Sequence, residues 1–166
     1  MILIHGSKNQ GKTTQVKQIT QLLLNNNKSV MGFYSEKIMS DKKVIGYNLI
    51  TIPQNKIFPF LSIVKNENQQ QIGAFFIDDV AIKNGRKQIE KAITTQVDFV
   101  IIDEVGKLEL NNKGWHICIE KLLSEFNGKI ILSIRTEFIE KAIKKWDLKN
   151  IKLISVHDDL NKINYF

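Results

Sequence analysis

Two short runs in this chain hold residue types whose spacing suits phosphate chemistry. The first, Gly6-Ser7-Lys8-Asn9-Gln10-Gly11-Lys12-Thr13, fits the pattern G-x-x-x-x-G-K-[ST]. In such a loop, successive backbone N–H groups and a helix N-terminus converge on an anion. Lys12 would then reach the β- and γ-phosphates of a nucleoside triphosphate, and the Thr13 hydroxyl would bind Mg²⁺. The second run is Phe99-Val100-Ile101-Ile102-Asp103-Glu104. Four apolar residues leading into acids describe a buried parallel strand that ends at a ligand crevice. Asp103 is the residue expected to hold Mg²⁺, through a water. Consecutive strand residues point in opposite directions, so Glu104 would not serve the metal in the same way. It is placed instead to orient and deprotonate a water that attacks the γ-phosphate.

These two runs need elements to carry them. Met1 to Ile4 reads as a buried strand, and Val16, Ile19, Leu22 and Leu23 recur at helical spacing after the loop, with Asn25-Asn26-Asn27 ending that helix. Ser29 to Glu36 and Lys43 to Ile52 are predicted strands joined by a hairpin turn at Ser40-Asp41-Lys42-Lys43, and Pro53 stops the second. Residues 57–64, interrupted by Pro59, suit an edge strand or an irregular segment. Lys65 to Gln71 reads as polar loop, and Ile72 to Ile77 as one short strand. Asp78 or Asp79 could cap a helix running to Thr95, weakened in its middle by Gly85.

The remainder alternates regularly. Val97 to Asp103 is a predicted strand, and 113–127 a helix with Trp115, Ile119, Leu122 and Phe126 on one side. Lys129 to Ile134 is a strand, 136–146 a helix presenting Ile139, Ile143 and Trp146, and Ile151 to Val156 a last strand. The expected fold is α/β, a mostly parallel sheet covered on both faces and extended on one side by antiparallel strands. Phosphate-loop proteins that pair a catalytic glutamate with the metal aspartate generally insert a strand between the loop strand and the acidic strand. Lys129 to Ile134 is the natural insert, which would bring Ser133 and Arg135 near the γ-phosphate. Arg135 could there neutralise charge developing on the transferred phosphoryl group.

Composition narrows the classes. The 166 residues, 43% hydrophobic and 25% charged, suit one soluble domain spanning 1–166. No apolar run approaches a membrane span and no secretory signal is visible, so the expected setting is cytoplasmic. The net charge of +7 comes from 22 Lys and 2 Arg spread over the whole chain. That suits an anionic substrate, and no specific nucleic-acid or membrane partner is expected. Protein partners are not legible. The one cysteine, Cys118, falls on the apolar stripe of a predicted helix and reads as a structural thiol, while His5, His116 and His157 lack metal-ligand spacing.

The chain also resembles the THEP-type nucleoside-triphosphatase family of bacteria, archaea and animals, small P-loop proteins with a RecA-like three-layer sandwich. The resemblance rests on Gly6 to Thr14, Gly32-Phe33-Tyr34-Ser35-Glu36, Ile45-Gly46-Tyr47-Asn48-Leu49-Ile50, Ile72-Gly73-Ala74-Phe75 and Ile102-Asp103-Glu104-Val105-Gly106-Lys107-Leu108-Glu109-Leu110. It implies slow Mg²⁺-dependent hydrolysis of ATP, GTP and other triphosphates to diphosphate and phosphate. It further implies nucleotide contacts from the loop through Thr14 and from the stretch after the metal acid, Val105, Gly106 and Lys107. Two departures stand out. Lys8-Asn9-Gln10 replaces smaller loop residues, and Lys42 and Lys43 stand where members often carry arginine.

Three activities fit these residues. A triphosphatase would use Glu104 to activate water. A nucleotide or small-molecule kinase would use the same cradle, with Glu36 as base toward an acceptor. A nucleotide-switched adaptor would read hydrolysis out as partner affinity.

Overall fold

Residues that alternate inward and outward along the strands sort into two hydrophobic layers, one on each face of a single sheet. The computed structural model describes residues 1–65 and 70–160. In chain order the elements are β1 (Ile2–Gly6), α1 (Lys12–Asn25), β2 (Val30–Ser40), β3 (Lys43–Ile52), β4 (Ile57–Ser62), β5 (Gln71–Ile72) and β6 (Phe75–Ile77). They continue with α2 (Asp79–Thr95), β7 (Phe99–Val105), α3 (Lys107–Leu110), α4 (His116–Glu125), β8 (Lys129–Arg135), α5 (Ile139–Trp146) and β9 (Lys152–Ser155).

Among the described residues the sheet order is β5-β6-β4-β3-β2-β7-β8-β1-β9. The run from β2 to β9 is parallel, and β3, β4, β6 and β5 extend it antiparallel. β8 lies between β1 and β7, where the predicted insert belongs. This is the α/β, RecA-like three-layer sandwich the chain was expected to form.

The layers follow from strand alternation. Ile2, Ile4, Ile101 and Ile131 meet Val16, Ile19 and Leu23 of α1 on one face. Leu3, Val100, Ile102 and Leu132 meet Ala81 and Ile89 of α2, Ile119 and Leu122 of α4, and Ala142 of α5 on the other. Each fully buried Leu or Ile contributes roughly 1.5–3 kcal/mol. That packing, rather than propensity, holds helices too short to persist alone.

Several predicted boundaries move. Ile72 to Ile77 is not one strand but the hairpin β5–β6, because Gly73 at φ 57 takes a backbone conformation that other side chains rarely adopt and turns the chain there. β2 runs on to Ser40, and Asp41 and Lys42, both at positive φ, make the predicted turn as a tight hairpin. Pro59 sits in β4 opposite Asn48, on the part of β4 that β6 leaves uncovered, so β4 is an edge strand there and paired on both sides further on. β7 continues to Val105, carrying both acids inside the strand rather than at its end. α4 begins only at His116, after Gly114 at φ 58. Part of the predicted polar loop, residues 66–69, lies outside the described residues.

Asp78 caps α2, its carboxylate accepting from the Val80 N–H at 2.8 Å. Gly85 proves to be a seat rather than a weakness. Trp115, 3% exposed, packs 4.4 Å (centroid to centroid) from Phe33, and a Cβ built on Gly85 would stand 2.7 Å from its ring. Gly85→Ala gains about 1 kcal/mol of helix propensity but meets a rigid buried ring, and overpacking costs about 1–3 kcal/mol. The variant is expected to unfold at lower urea concentration than the parent. Cys118 gives a second test. Burial pushes its thiol up from 9.0 to about 11. The neutral thiol is favoured by folding, so its contribution is complete below pH 9.0 and fades as pH rises toward 11. At about pH 8 a thiol reagent should label the urea-unfolded chain quickly and the native chain slowly.

Candidate active site

The central strands end in a cleft of about 360 Å³, whose walls carry Lys8, Asn9, Gly11, Lys12, Thr13, Thr14 and Lys17 on the loop–helix side. Ser35, Glu36, Lys37 and Tyr47 come from the β2–β3 hairpin, and Asp103, Glu104 and Arg135 from β7 and β8. Five cations thus face three carboxylates in a concave site at the carboxyl ends of parallel strands, a setting suited to a polyanion.

Asp103 organises the floor. It is 1% exposed, and its carboxylate accepts from Thr13 Oγ1 at 2.8 Å, from the Ser35 backbone N–H at 3.2 Å and from the Ser133 hydroxyl. Burial pushes its carboxyl above the ordinary range against the pull of those donors.

Glu104 departs from plain strand geometry. Ile102 pairs with Leu132 and Val105 with Ile134, so two residues of β7 oppose Ser133 alone. This is a β-bulge, and Glu104 takes φ 66 within it. Strict alternation would have sent the two acids to opposite faces. The bulge brings both to the cleft, and Ser133 brackets them, donating to Asp103 while its oxygen accepts the Glu104 N–H at 2.8 Å. The crevice walls and then the charge of Asp103 raise the Glu104 carboxyl above its usual range. That direction suits a proton acceptor working near neutral pH.

The loop is braced from within. Lys12, 8% exposed, donates to the Ser7 carbonyl at 2.9 Å and the Gly6 carbonyl at 3.4 Å, and burial lowers its ammonium pKa. Gln10 Oε1 accepts the Ser7 N–H at 2.6 Å, and Asn9 is held from across the cleft by Lys37 Nζ at 2.8 Å. Lys8, Asn9 and Gln10 are the three positions where the loop departs from the usual small residues, and the last two form these braces. Gly6, buried at the end of β1, and Ser7 and Gln10 shape the loop without lining the cleft. Arg135 is half-buried on the cleft wall, 3.9 Å from Glu137.

Beyond Glu104 the chain turns away. Val105 is 1% exposed in the core, Gly106 donates its N–H to Glu109 Oε2 at 2.8 Å, and Lys107 opens α3 on the surface, so none of the three lines the cleft. Glu109 is a residue that motif reasoning left without a role. Its carboxylate, 2% exposed, accepts from Gly106 and from the Trp115 N–H at 3.1 Å, closing the loop that follows the acids. The Gly-x-x-Glu spacing at a helix start was the available signal. Glu36 is ion-paired with Lys17, and Tyr47 enters only because β3 folds back on β2. His5, His116 and His157 lie apart, with His5 on Thr136 and His116 on Glu120.

Comparison with known proteins bears on the family and the fold. A family model described as NTPase matches residues 1–162. The nucleoside-triphosphatase THEP1 of Thermotoga sp. (strain RQ2) is 28% identical over 151 residues, covering 89% of this chain and 82% of that protein. THEP1 of Aquifex aeolicus (strain VF5) is 27% identical over 149 residues, 87% of this chain and 82% of its own. Among solved structures, the crystal structure of THEP1 from the hyperthermophile Aquifex aeolicus matches with a TM-score of 0.73 at 24% identity, over 94% of this chain and 90% of that one. The solution structure of a human cancer-related nucleoside triphosphatase matches at 0.69 and 20% identity, over 93% and 87%. At these identities the two structures speak to the fold.

Ser133→Ala tests the bracket. It strips one donor from the buried Asp103 and leaves the Glu104 N–H without its acceptor, so stability should fall by about 1–3 kcal/mol in urea titration. An unchanged midpoint would mean that Ser133 does not hold the acids.

Proposed function

The chain belongs to the NTPase family, and on that footing we propose that it hydrolyses nucleoside triphosphates to diphosphate and phosphate with Mg²⁺, Glu104 activating the attacking water. One observation carries the reading. The phosphate-loop hydroxyl of Thr13 and the buried carboxylate of Asp103 stand 2.8 Å apart, with Glu104 beside them in the same cleft. Thr13 and Asp103 offer the hard oxygen donors that Mg²⁺ takes alongside phosphate oxygens and waters, so the residues present fit that ion. When bound, it would neutralise charge on the β- and γ-phosphates.

The remaining groups divide the work. The loop from Gly6 to Thr14 would wrap the phosphates, with Lys12 on the outer two. Glu104 would take a proton from the water as its oxygen bonds to the γ-phosphorus. The bond from that phosphorus to the β–γ bridging oxygen breaks, the diphosphate leaves, and the proton passes from Glu104 to solvent. Arg135 would stabilise charge on the equatorial oxygens. The kinase reading keeps one observation, since Glu36 lines the cleft, but its carboxylate is already held by Lys17.

Phosphate release from ATP, GTP, CTP and UTP with Mg²⁺ and no added acceptor tests the reading directly. Release that requires a nucleoside or metabolite acceptor would favour the kinase, and binding without turnover the switch. Glu104→Gln should keep nucleotide binding and lose roughly 10²–10⁴-fold in turnover. Lys12→Ala should severely weaken triphosphate affinity or turnover. Near-parental kinetics in either variant would remove that residue from its role.

A further inference from the structure

The hydrolysis reading leaves Lys37 without work, yet its surroundings are those of a phosphate ligand. It follows Ser35 by two positions on β2, so the two share a face, and the Ser35 N–H already contacts Asp103. Across the hairpin it pairs with Tyr47, which also borders the cleft. The side chain does not trail into solvent. Its Nζ turns to the phosphate loop and donates to Asn9 Oδ1 at 2.8 Å.

That acceptor is neutral. Lys17, on the facing wall, is ion-paired with Glu36, whereas among the described residues no carboxylate lies within ion-pair distance of Lys37. Its charge reaches the groups assigned to the outer end of the triphosphate. It offsets part of the rise that burial and Asp103 impose on the Glu104 carboxyl, and it adds to the fall that burial imposes on the Lys12 ammonium. An exposed, flexible lysine tied to a neutral amide can exchange that acceptor for an anionic oxygen at small cost, gaining a charge-assisted bond.

We propose that Lys37 is a ligand of the γ-phosphate, supplied by the antiparallel β2–β3 hairpin from across the cleft, and that it makes the protein prefer triphosphate to diphosphate. The assignment rests on reading this cleft as the triphosphate site. Under it, the β2–β3 hairpin is part of the nucleotide site, contributing a cation from the stretch of β2 beyond its parallel pairing with β7.

The test is equilibrium binding of ADP and of the non-hydrolysable β,γ-imido analogue of ATP, with Mg²⁺, to the parent protein, Lys37→Met and Lys37→Arg. Lys37→Met should lose about tenfold of the preference for the triphosphate analogue while ADP affinity changes little, and Lys37→Arg should retain most of it. Thermal midpoints should match, since Lys37 is exposed. An unchanged preference in Lys37→Met, or an equal loss for both ligands, overturns the assignment while leaving the cleft reading intact. Parent protein that binds neither ligand overturns the cleft reading, and this proposal with it.

Discussion

A carboxylate kept from water at the heart of the sheet is the constraint on which the cleft depends. Burying a charge costs several kcal/mol unless hydrogen-bond donors replace its hydration. Asp103 finds them on three separate elements: Thr13 on α1, the Ser35 N–H on β2 and Ser133 on β8. All three must arrive together. That requires β8 to be inserted between β1 and β7 and β2 to flank β7 on its other side, which is the observed strand order. Topology and site are thus one solution to one electrostatic problem.

The bulge in β7 solves a second problem. Two adjacent acids cannot face one ligand from a regular strand, and setting two residues against Ser133 removes that limit. A glutamate at φ 66 stores strain on the order of 1–3 kcal/mol, which the flanking parallel pairs and the Ser133 bracket hold in place. The raised carboxyl of Glu104 belongs to the same arrangement, since it follows from the crevice walls and the adjacent Asp103.

Support reaches the cleft from elements that look remote in the chain. Glu109 ties Gly106 to Trp115, and Trp115 settles against Gly85 of α2 and the rings of Phe33 and Phe60. The stretch that leaves the acids is therefore anchored in the larger hydrophobic layer. On the opposite side the β2–β3 hairpin supplies Glu36, Lys37 and Tyr47, so one wall of the cleft belongs to the antiparallel part of the sheet.

What could be read from residues alone were the features that neighbours in sequence decide. The glycine loop, the apolar run before Asp103, the tight turn at Asp41-Lys42 and the Asp78 cap all depend on contacts within a few residues, and each took the expected form. The inserted strand was also anticipated, because phosphate-loop proteins that pair a glutamate with the metal aspartate generally insert one, and Lys129 to Ile134 is the next strand after the acids. Only the folded chain decided the rest. Glu104 turns toward Asp103 because β8 sets a single residue against two, and Val105 turns inward for the same reason. Gly85 serves as the floor for a tryptophan thirty positions on, and Lys37 meets Asn9 because a hairpin closes over the loop. Those outcomes are settled by pairing register and by packing between distant segments, quantities that a linear pattern does not carry.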